Sequence, residues 1–384
     1  MLMTKTVLRK LCCGALAAAL ALCLGGCGLE RSIYANYRAL EELRTVRAMG
    51  LDREPDGALT ITVAADAAEG SDQPTVLSHS GSSILPTLEL LQDDTGQGQL
   101  FFAHTQYLVL GQAEAEAGLG PVLDYFERDV HTRLGTALFV LREGSARTLF
   151  ESLEDSEHVS ALLASIQRDT RLRGDSHVSN LRETAVALSE YGAAAVCALS
   201  LTDGDGAAAV PDGYAILRGG MLAGFLSGNE ARALSLLNGT LGTVARTETP
   251  DDAGSVSFAL SGGAADYSLQ RTAAGTPRLS VRVNVDAAAA AADGGGMPDE
   301  EALARFRAEL TGQLREEIAR VLDYARTLDA DFLGLAGVLR RAGSGALTQT
   351  PGWLQTLEFD IAVNCTVTHS YELGRPLPMD GGSA

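Results

Sequence analysis

The clearest pattern of apolar and polar positions predicts a long amphipathic helix in the last quarter of the chain. Apolar residues recur there at steps of three and four, which places them on one helix face. They are Leu303, Phe306, Leu310, Leu314, Ile318, Val321 and Leu322. Pro298 and the acids Asp299 to Glu301 precede them, as is typical of a first helical turn. A second helix is predicted for Ala330 to Arg341, and a closing strand for Leu357 to His369.

The first half of the chain alternates between strand and helix patterns. Apolar and polar residues alternate from Leu59 to Val63, which predicts a strand. Further strands are predicted at Gln106 to Leu110, Gly135 to Leu141 and around Val196. Helices are predicted at Ser83 to Leu91, Ala113 to Arg128, Ala146 to Leu153, His158 to Ile166 and Val178 to Tyr191. The polar stretch Glu30 to Met49 is compatible with a helix, and the glycine-rich Gly70 to Ser83 with a loop.

The second half is richer in short strands separated by turn residues. Two of them flank the Gly219-Gly220 turn, which suits a tight hairpin. Strands are predicted at Tyr214 to Leu217, Met221 to Phe225, Thr240 to Arg246, Gly254 to Ser261, Asp266 to Gln270 and Arg278 to Asp286, with a short helix at Asn229 to Leu237. The low-complexity stretch Ala287 to Gly296 predicts a loop or linker.

These patterns predict an α+β fold of two to three mixed α/β domains. Its sheets would be largely antiparallel, with the long C-terminal amphipathic helix packed on one of them. The predicted segments are a signal peptide (1–26), a lipidated tether (27–48), an N-terminal α/β domain (49–201), a strand-rich middle region (202–286), a linker (287–297), a C-terminal helix–strand domain (298–375) and a mobile tail (376–384).

The N-terminus carries the pattern of a secretory signal. Lys5, Arg9 and Lys10 precede the apolar run Leu11 to Leu24, which is shorter than the roughly 20 residues a membrane-spanning helix needs. The run ends in Leu24-Gly25-Gly26-Cys27, which resembles the lipobox of bacterial lipoproteins. We therefore expect cleavage after Gly26 and lipidation of Cys27. An uncleaved anchor helix is the alternative, and either reading tethers the chain to a membrane outside the cytoplasm.

Charge restricts the classes of partner. The chain beyond the signal peptide holds 27 cations and 49 acids, a net charge of −22, and all its cations are arginines. Nucleic acids need clustered cations, so we expect no nucleic-acid partner. The same charge disfavours lying flat on anionic headgroups, so the lipid anchor would carry the attachment.

The cysteines and the catalytic motifs point away from an enzyme. Beyond Cys27 only Cys197 and Cys365 remain, and two separate buried thiols are favoured over the one disulfide they could form. No cysteine or histidine spacing suits a metal. The serines around His79 lack the Gly-x-Ser-x-Gly elbow, and Asp203 to Gly206 lacks the further ligands of a calcium loop. We expect no catalysis, no cofactor and no metal, and interpret Trp353 as a packing anchor.

Several motifs follow one another in an order that is informative. Met49 to Asp52 leads into the first domain, and a second block runs from His104 through Gly111 and the Asp124 to Asp129 helix to Arg133. The third block is Leu217 to Gly239, with Gly224-Phe225-Leu226 and Glu230. The fourth is the acidic helix from Asp299 into Asp331 to Leu335, then Trp353 and the last strand.

This order resembles the Ger(x)C, or GerAC-like, spore germination lipoproteins, the C subunits of nutrient germinant receptors. The resemblance implies a non-catalytic subunit that is lipid-anchored on the extracytoplasmic face of the spore inner membrane. It also implies assembly with integral-membrane subunits of the A and B types and a part in nutrient-triggered germination. The chain departs from the family at Gly28-Leu29-Glu30, where the family often has Trp-Asp-Arg.

The candidate site residues are structural or partner-facing. Gly111 lies at a strand end where positive φ or close approach is expected, and His104 is expected to cap a strand. Asp124, Arg128, Asp129 and Arg133 form either a solvated ion-pair cluster, which is favoured, or a clamp or partner-facing patch. Gly224 and Glu230 belong to the same set through the resemblance.

Two other classes of protein compete with this interpretation. A solute-binding lipoprotein of a transporter would have two similar α/β lobes around a cleft, which few aromatics and an antiparallel second half disfavour. A lipid-anchored hydrolase would need a nucleophile constellation that the sequence lacks.

Overall fold

Two β-sheets and the helices packed on them make up the fold in the computed structural model of the chain. The structure describes residues 43–67, 75–95, 98–129, 132–153, 155–202, 208–248, 256–271, 276–292 and 299–369. Gly26 and Cys27, and with them the signal and lipidation predictions, lie outside the described residues.

The first sheet has nine strands in the order β3-β2-β1-β5-β6-β7-β8-β9, with β4 beside β1. These strands are β1 (Leu43–Arg53), β2 (Leu59–Ala65), β3 (Val76–Gly81), β4 (Gln99–Phe101), β5 (Tyr107–Leu110), β6 (Ala137–Arg142), β7 (Ala193–Leu201), β8 (Ala209–Arg218) and β9 (Met221–Leu226). The central strands β1, β5, β6 and β7 run parallel, and the outer ones pair antiparallel.

Helices cover both faces of this sheet, which is why the central parallel strands β5 and β6 are buried along almost their whole length. The helices are α1 (Ile84–Asp94), α2 (Gln112–Ala117), α3 (Gly120–Arg128), α4 (Ala146–Ser152), α5 (Ser156–Arg173) and α6 (Leu181–Tyr191). The first three pack on one face and α4 with α5 on the other, because their apolar residues belong to two separate buried clusters. A buried strand such as β6 is therefore in contact with apolar side chains above and below it.

The second sheet has five strands built around one long strand. They are β10 (Val244–Glu248), β11 (Val256–Gly262), β12 (Asp266–Arg271), β13 (Pro277–Ala292) and β14 (Glu358–His369). β13 pairs antiparallel with β11 and β12 and parallel with β14. Between the two sheets in sequence lies α7 (Gly228–Asn238), and after β13 come α8 (Glu300–Leu328), α9 (Leu335–Arg341) and α10 (Trp353–Thr356).

The long helix α8 confirms the clearest sequence prediction. Six of the seven predicted apolar residues are buried, and Leu303 is half-buried. The helix packs on one face of the second sheet, where the Phe306 ring contacts Phe258 edge-on at 5.7 Å between centroids. Asp299 caps its N-terminus, because its carboxylate accepts the Ala302 N–H at 2.8 Å. The opposite face of β13 exposes polar residues, so this sheet is covered on one side only.

Four local predictions differ from the structure. Residues from Leu43 to Met49 belong to β1 rather than to a helix or tether, because Val46 and Ala48 alternate into the core. Val76–Gly81 forms β3, paired with β2, within the predicted loop. Ala113 to Arg128 is two helices, broken at Gly118 with φ +117°. The predicted linker continues β13 to Ala292, since the alanines pair with β11 and Ala287 and Ala289 are buried.

The predicted middle region 202–286 is shared between the sheets, because β8 and β9 complete the first sheet and β10 to β12 belong to the second. From Arg44 onward the chain groups as one compact unit that holds both sheets. The division into domains stays a prediction. No helix among the described residues is both long and apolar enough to cross a membrane.

Cys197 and Cys365 are separate free thiols, as in the favoured interpretation, but only Cys197 is fully buried. Cys197 is buried in β7, and burial raises its pKa to about 12. Cys365 is half-buried in β14, and burial raises its pKa to about 11. Both are thiols rather than thiolates at neutral pH.

Candidate functional site

The two sheets meet where the β8–β9 hairpin and α7 pack against α8, a region we call the joint. Gly224 in β9 lies so close to α8 that an added Cβ would overlap the hydroxyl of Tyr324. A glycine inside a strand is typical of such a close approach. The α2–α3 turn also reaches this hairpin, because the Leu119 N–H donates to the Gly220 carbonyl at 2.8 Å.

Two ion pairs span the joint. Arg320 of α8 contacts Glu230 of α7 at 2.6 Å, and Arg218 of β8 contacts Asp329 at 2.7 Å. The side chains are about a third to a half exposed, so each pair contributes about 0–1 kcal/mol. The pairs therefore orient the two sheets more than they stabilise them.

A buried pair ties α8 to the edge of the second sheet. The Glu317 carboxylate lies 3.0 Å from the Arg246 guanidinium, and Arg246 also donates to Gln313. Burial raises the pKa of Glu317, and the charge of Arg246 lowers it. This pair is far less exposed than those of the joint, with 15% of the Arg246 side chain and 4% of the Glu317 side chain accessible.

Just after α8, a buried aspartate starts α9. The Asp331 carboxylate accepts the N–H groups of Leu335 and Ala336 at 2.7 and 2.8 Å. Burial is the largest influence on this group and raises its pKa to about 6. Gly334 has φ +69°, and an added Cβ there would lie 3.3 Å from the Tyr191 ring. The motif Asp331 to Leu335 thus turns the chain and seats α9 on the end of α6.

Beside the joint lies an open cleft of about 240 Å³, which we call the cleft. It is lined by Tyr191 from α6, by Asp329 and Asp331, and by the segment from Thr348 to Leu354. Asp329 belongs to both the joint and the cleft. The cleft therefore brings residues that flank the first sheet together with residues that flank the second.

The motif Met49 to Asp52 ends in a second buried aspartate that, like Asp331, accepts N–H groups at the start of a helix. Asp52, at the end of β1, accepts the N–H groups of Ala146 and Arg147 at 2.8 and 2.9 Å, at the start of α4. Burial is the main cause that raises its pKa. Gly50 and Gly111 make room for this contact, because a Cβ at position 50 would lie 2.7 Å from the Ala146 Cβ and one at 111 would overlap the Asp52 carboxylate. Gly111 has a negative φ, so the close approach of Asp52, rather than a positive φ, accounts for the glycine.

The other predicted residues of the second block lie apart from the joint. Asp124 pairs with Arg128 at 2.6 Å on the exposed side of α3, with 61% and 79% of their side chains accessible. Asp129 lies beside the Tyr125 hydroxyl, and burial and then Asp129 raise the pKa of Tyr125. Arg133 is exposed and takes no part in the Asp124–Arg128 pair.

His104 lies in a short 3-10 turn before β5 and is exposed, with its ring 5.6 Å from that of Phe101. The start of β5 is held instead by the buried Thr105, whose carbonyl accepts from the Thr136 hydroxyl at 3.0 Å. Among the described residues, no three His, Cys, Asp or Glu side chains are placed to hold a metal ion.

Sequence reasoning placed Gly224 and Glu230 in the candidate set but missed their partners. The partner of Glu230 is Arg320, 90 positions later in the chain, and the partner of Gly224 is Tyr324, which also belongs to the distant helix α8. The glycine inside a strand was the one available signal, since it indicates that something approaches the backbone. No pattern in the sequence around Tyr191 indicates that this residue lines a cleft.

Comparisons with known proteins cover both halves of the chain. A family described as "Spore germination protein N-terminal domain" matches residues 36–201, and one described as "Spore germination B3/GerAC like, C-terminal" matches residues 212–371. No curated protein matches. The crystal structure of the GerBC protein is similar with a TM-score of 0.56 and 16% identity, covering 86% of this chain and 99% of that one. At this identity the likeness shows a shared fold.

Proposed function

The chain belongs to the GerAC-like family of spore germination proteins, and we propose that it is the lipid-anchored C subunit of a germinant receptor. The observation that carries the proposal is that two family matches, 36–201 and 212–371, follow directly on a lipobox-like Leu24-Gly25-Gly26-Cys27. In this proposal Cys27 is the mature N-terminus and holds the folded body on the extracytoplasmic face of the spore inner membrane.

We further propose that the subunit is non-catalytic and assembles with integral-membrane subunits of the A and B types. It would act through differential contacts, stabilising one receptor state so that nutrient binding shifts a shared equilibrium. The joint supports this role, because its two half-exposed ion pairs are weak enough to rearrange at small energetic cost. The buried Arg246–Glu317 pair would keep α8 fixed to the second sheet meanwhile.

The solute-binding lipoprotein is less well supported. That class predicts two similar α/β lobes, whereas this chain has a nine-stranded mixed sheet and a five-stranded sheet covered on one side. The two halves are therefore not alike.

Membrane fractionation tests the anchor. In the organism that encodes the chain, Cys27→Ala should move the protein from the membrane pellet to the soluble fraction. Cys23→Ala, four positions upstream within the predicted signal peptide, is the matched control and should stay with the membrane. A Cys27→Ala protein that pellets like the parent would show that another segment holds it.

Deletion and co-purification test the receptor role. Deleting the chain should abolish germination in response to at least one nutrient, and affinity purification from solubilised spore membranes should recover polytopic partner subunits. Germination that is unchanged for every nutrient tested would refute the receptor assignment even if the anchor is confirmed.

A further inference from the structure

The cleft is a small, open and mainly polar concavity. Its volume of about 240 Å³ lies just below the range of drug-sized ligand pockets. Tyr191 and Trp353 supply aromatic rings, Asp329 supplies a partly exposed carboxylate, and Asp331 adds a carboxylate that is almost fully buried. These residues come from three separate parts of the chain, so the fold must assemble them.

The polar groups of the cleft favour a cationic ligand. Both charged lining residues are acids, and none of the described residues that line the cleft is a lysine or arginine. An ionised carboxylate only accepts hydrogen bonds, so a partner of Asp329 and Asp331 must donate. A phosphate or carboxylate ligand would be repelled.

Among the described residues, no cation contacts the Asp331 carboxylate by a hydrogen bond, unlike that of its neighbour Asp329. Asp329 is paired with Arg218 at 2.7 Å, but the hydrogen bonds to the Asp331 carboxylate come from the Leu335 and Ala336 backbone. Arg340 acts on Asp331 only at a distance, and its guanidinium lies over the Tyr191 ring at 5.6 Å. A buried charge of this kind is stabilised by a cation placed beside it.

The aromatic rings of the cleft also favour a cationic ligand. The faces of Trp and Tyr rings attract ammonium groups through cation–π interaction, and this effect is stronger where water is excluded. Trp353 is half-buried against the core of the second sheet and lines the cleft. An aromatic ring next to a carboxylate is therefore suited to an organic ammonium ion.

We propose that the cleft binds a small organic cation, held by the Asp329 carboxylate and by the rings of Tyr191 and Trp353, while the buried carboxylate of Asp331 adds negative charge to the site. Because Tyr191 precedes β7 of the first sheet and Trp353 precedes β14 of the second, the ligand would contact elements that flank both sheets. The inference does not depend on the receptor role, since it concerns binding to the isolated chain.

Trp353 is the only tryptophan, so its fluorescence reports on this cleft alone. Purified protein should be titrated with choline, ethanolamine and agmatine, and with 3,3-dimethylbutan-1-ol, the uncharged isostere of choline. We expect a saturable change in Trp353 emission with at least one of the cations and none with the isostere. No saturable change with any cation up to roughly 10 mM, which would saturate a millimolar site, overturns the proposal. An equal response to choline and its isostere also overturns it.

A pair of matched variants localises the binding. Gln349→Lys places a competing ammonium in the cleft at an exposed position, and Gln99→Lys makes the same change at an exposed position in β4 of the first sheet, outside the cleft. Gln349→Lys should weaken the binding of the responding cation at least about tenfold, as a like charge in the site repels it. Gln99→Lys should leave it within about twofold. Equal weakening by both variants would place the cation elsewhere and refute the site.

Discussion

The hydroxyl of Tyr324 on α8 occupies the space that a side chain at position 224 of β9 would need. Replacing Gly224 with Ala should force Tyr324 away and loosen the joint. Because overpacking of this kind usually lowers stability by about 1–3 kcal/mol, we expect a loss of that size in the free energy of unfolding. Urea denaturation measures it.

Two further variants decide whether that loss arises from the contact. Tyr324→Phe removes the overlapping hydroxyl, so the double variant should lose less than the two single losses combined. Gly312→Ala lies in the same helix α8 with no neighbour near its added Cβ, and it should raise stability by about 0.5–1 kcal/mol. Additive losses in the cycle would show that Gly224 and Tyr324 do not interact.

Asp52 is expected to fasten α4 to the end of β1. Asp52→Ala leaves the buried N–H of Ala146 and its neighbour at Arg147 without an acceptor. Since each unsatisfied buried donor costs about 1–3 kcal/mol, we expect a loss of about 2–4 kcal/mol, measured by thermal or urea unfolding.

Asp56 provides the matched control in the adjoining turn. Its carboxylate also accepts a backbone N–H, from Ala58 at 2.9 Å, but the bond is exposed to water. Asp56→Ala should therefore lower stability by less than about 1 kcal/mol, because water replaces the lost acceptor. Similar losses for both aspartates would mean that burial does not set the importance of Asp52.

The amphipathic helix and most of the buried strands could be predicted because their patterns are local. The alanine run after β13 could not, since a low-complexity stretch looks the same in a linker and in a strand, and pairing with β11 decides between them. The first part of β1, up to Met49, is compatible with a helix for a similar reason, because the core that Val46 and Ala48 enter is built from later strands.

The candidate site was predictable only in part. Gly111 follows from its position at a strand end, and Gly224 and Glu230 follow from the resemblance, but the Asp52 carboxylate and the Tyr324 hydroxyl that approach the two glycines lie far away in sequence. The cleft depends on a helix end, a turn and a loop that only tertiary packing brings together. Trp353 was interpreted as a packing anchor, and it does pack on the core while it also lines the cleft.

The Asp124–Arg128 pair on α3 is expected to contribute almost nothing to stability. Both side chains are mostly exposed, so water screens their attraction and little of it is available to the folded state. Arg128→Ala should therefore leave the free energy of unfolding, measured by urea denaturation, unchanged within experimental error, and any small effect should shrink in high salt. A loss comparable with that of Asp52→Ala would favour the structural clamp instead.

The raised pKa of Asp331 predicts that the protein becomes less stable as the pH rises through about 6. Burial raises its pKa in the folded state from the ordinary value of 3.8 to about 6, so the folded state binds the proton more tightly than the unfolded state. The resulting stabilisation is complete below about pH 4 and is lost as the pH rises past about 6, with a size on the order of 2–3 kcal/mol. Burial also raises the pKa values of Asp52, Glu114 and Glu317, which contribute in the same direction.

Urea denaturation at about pH 5 and about pH 7 measures this change, and Asp331→Asn isolates its source. Asparagine does not titrate and keeps one oxygen to accept from the start of α9, so α9 retains part of its cap. The difference in unfolding free energy between the two pH values should therefore be smaller in Asp331→Asn than in the parent protein, while the remaining buried acids preserve part of it. An identical difference in both proteins would mean that Asp331 titrates alike in the folded and unfolded chains, and the pH dependence of stability would then come from the other buried acids.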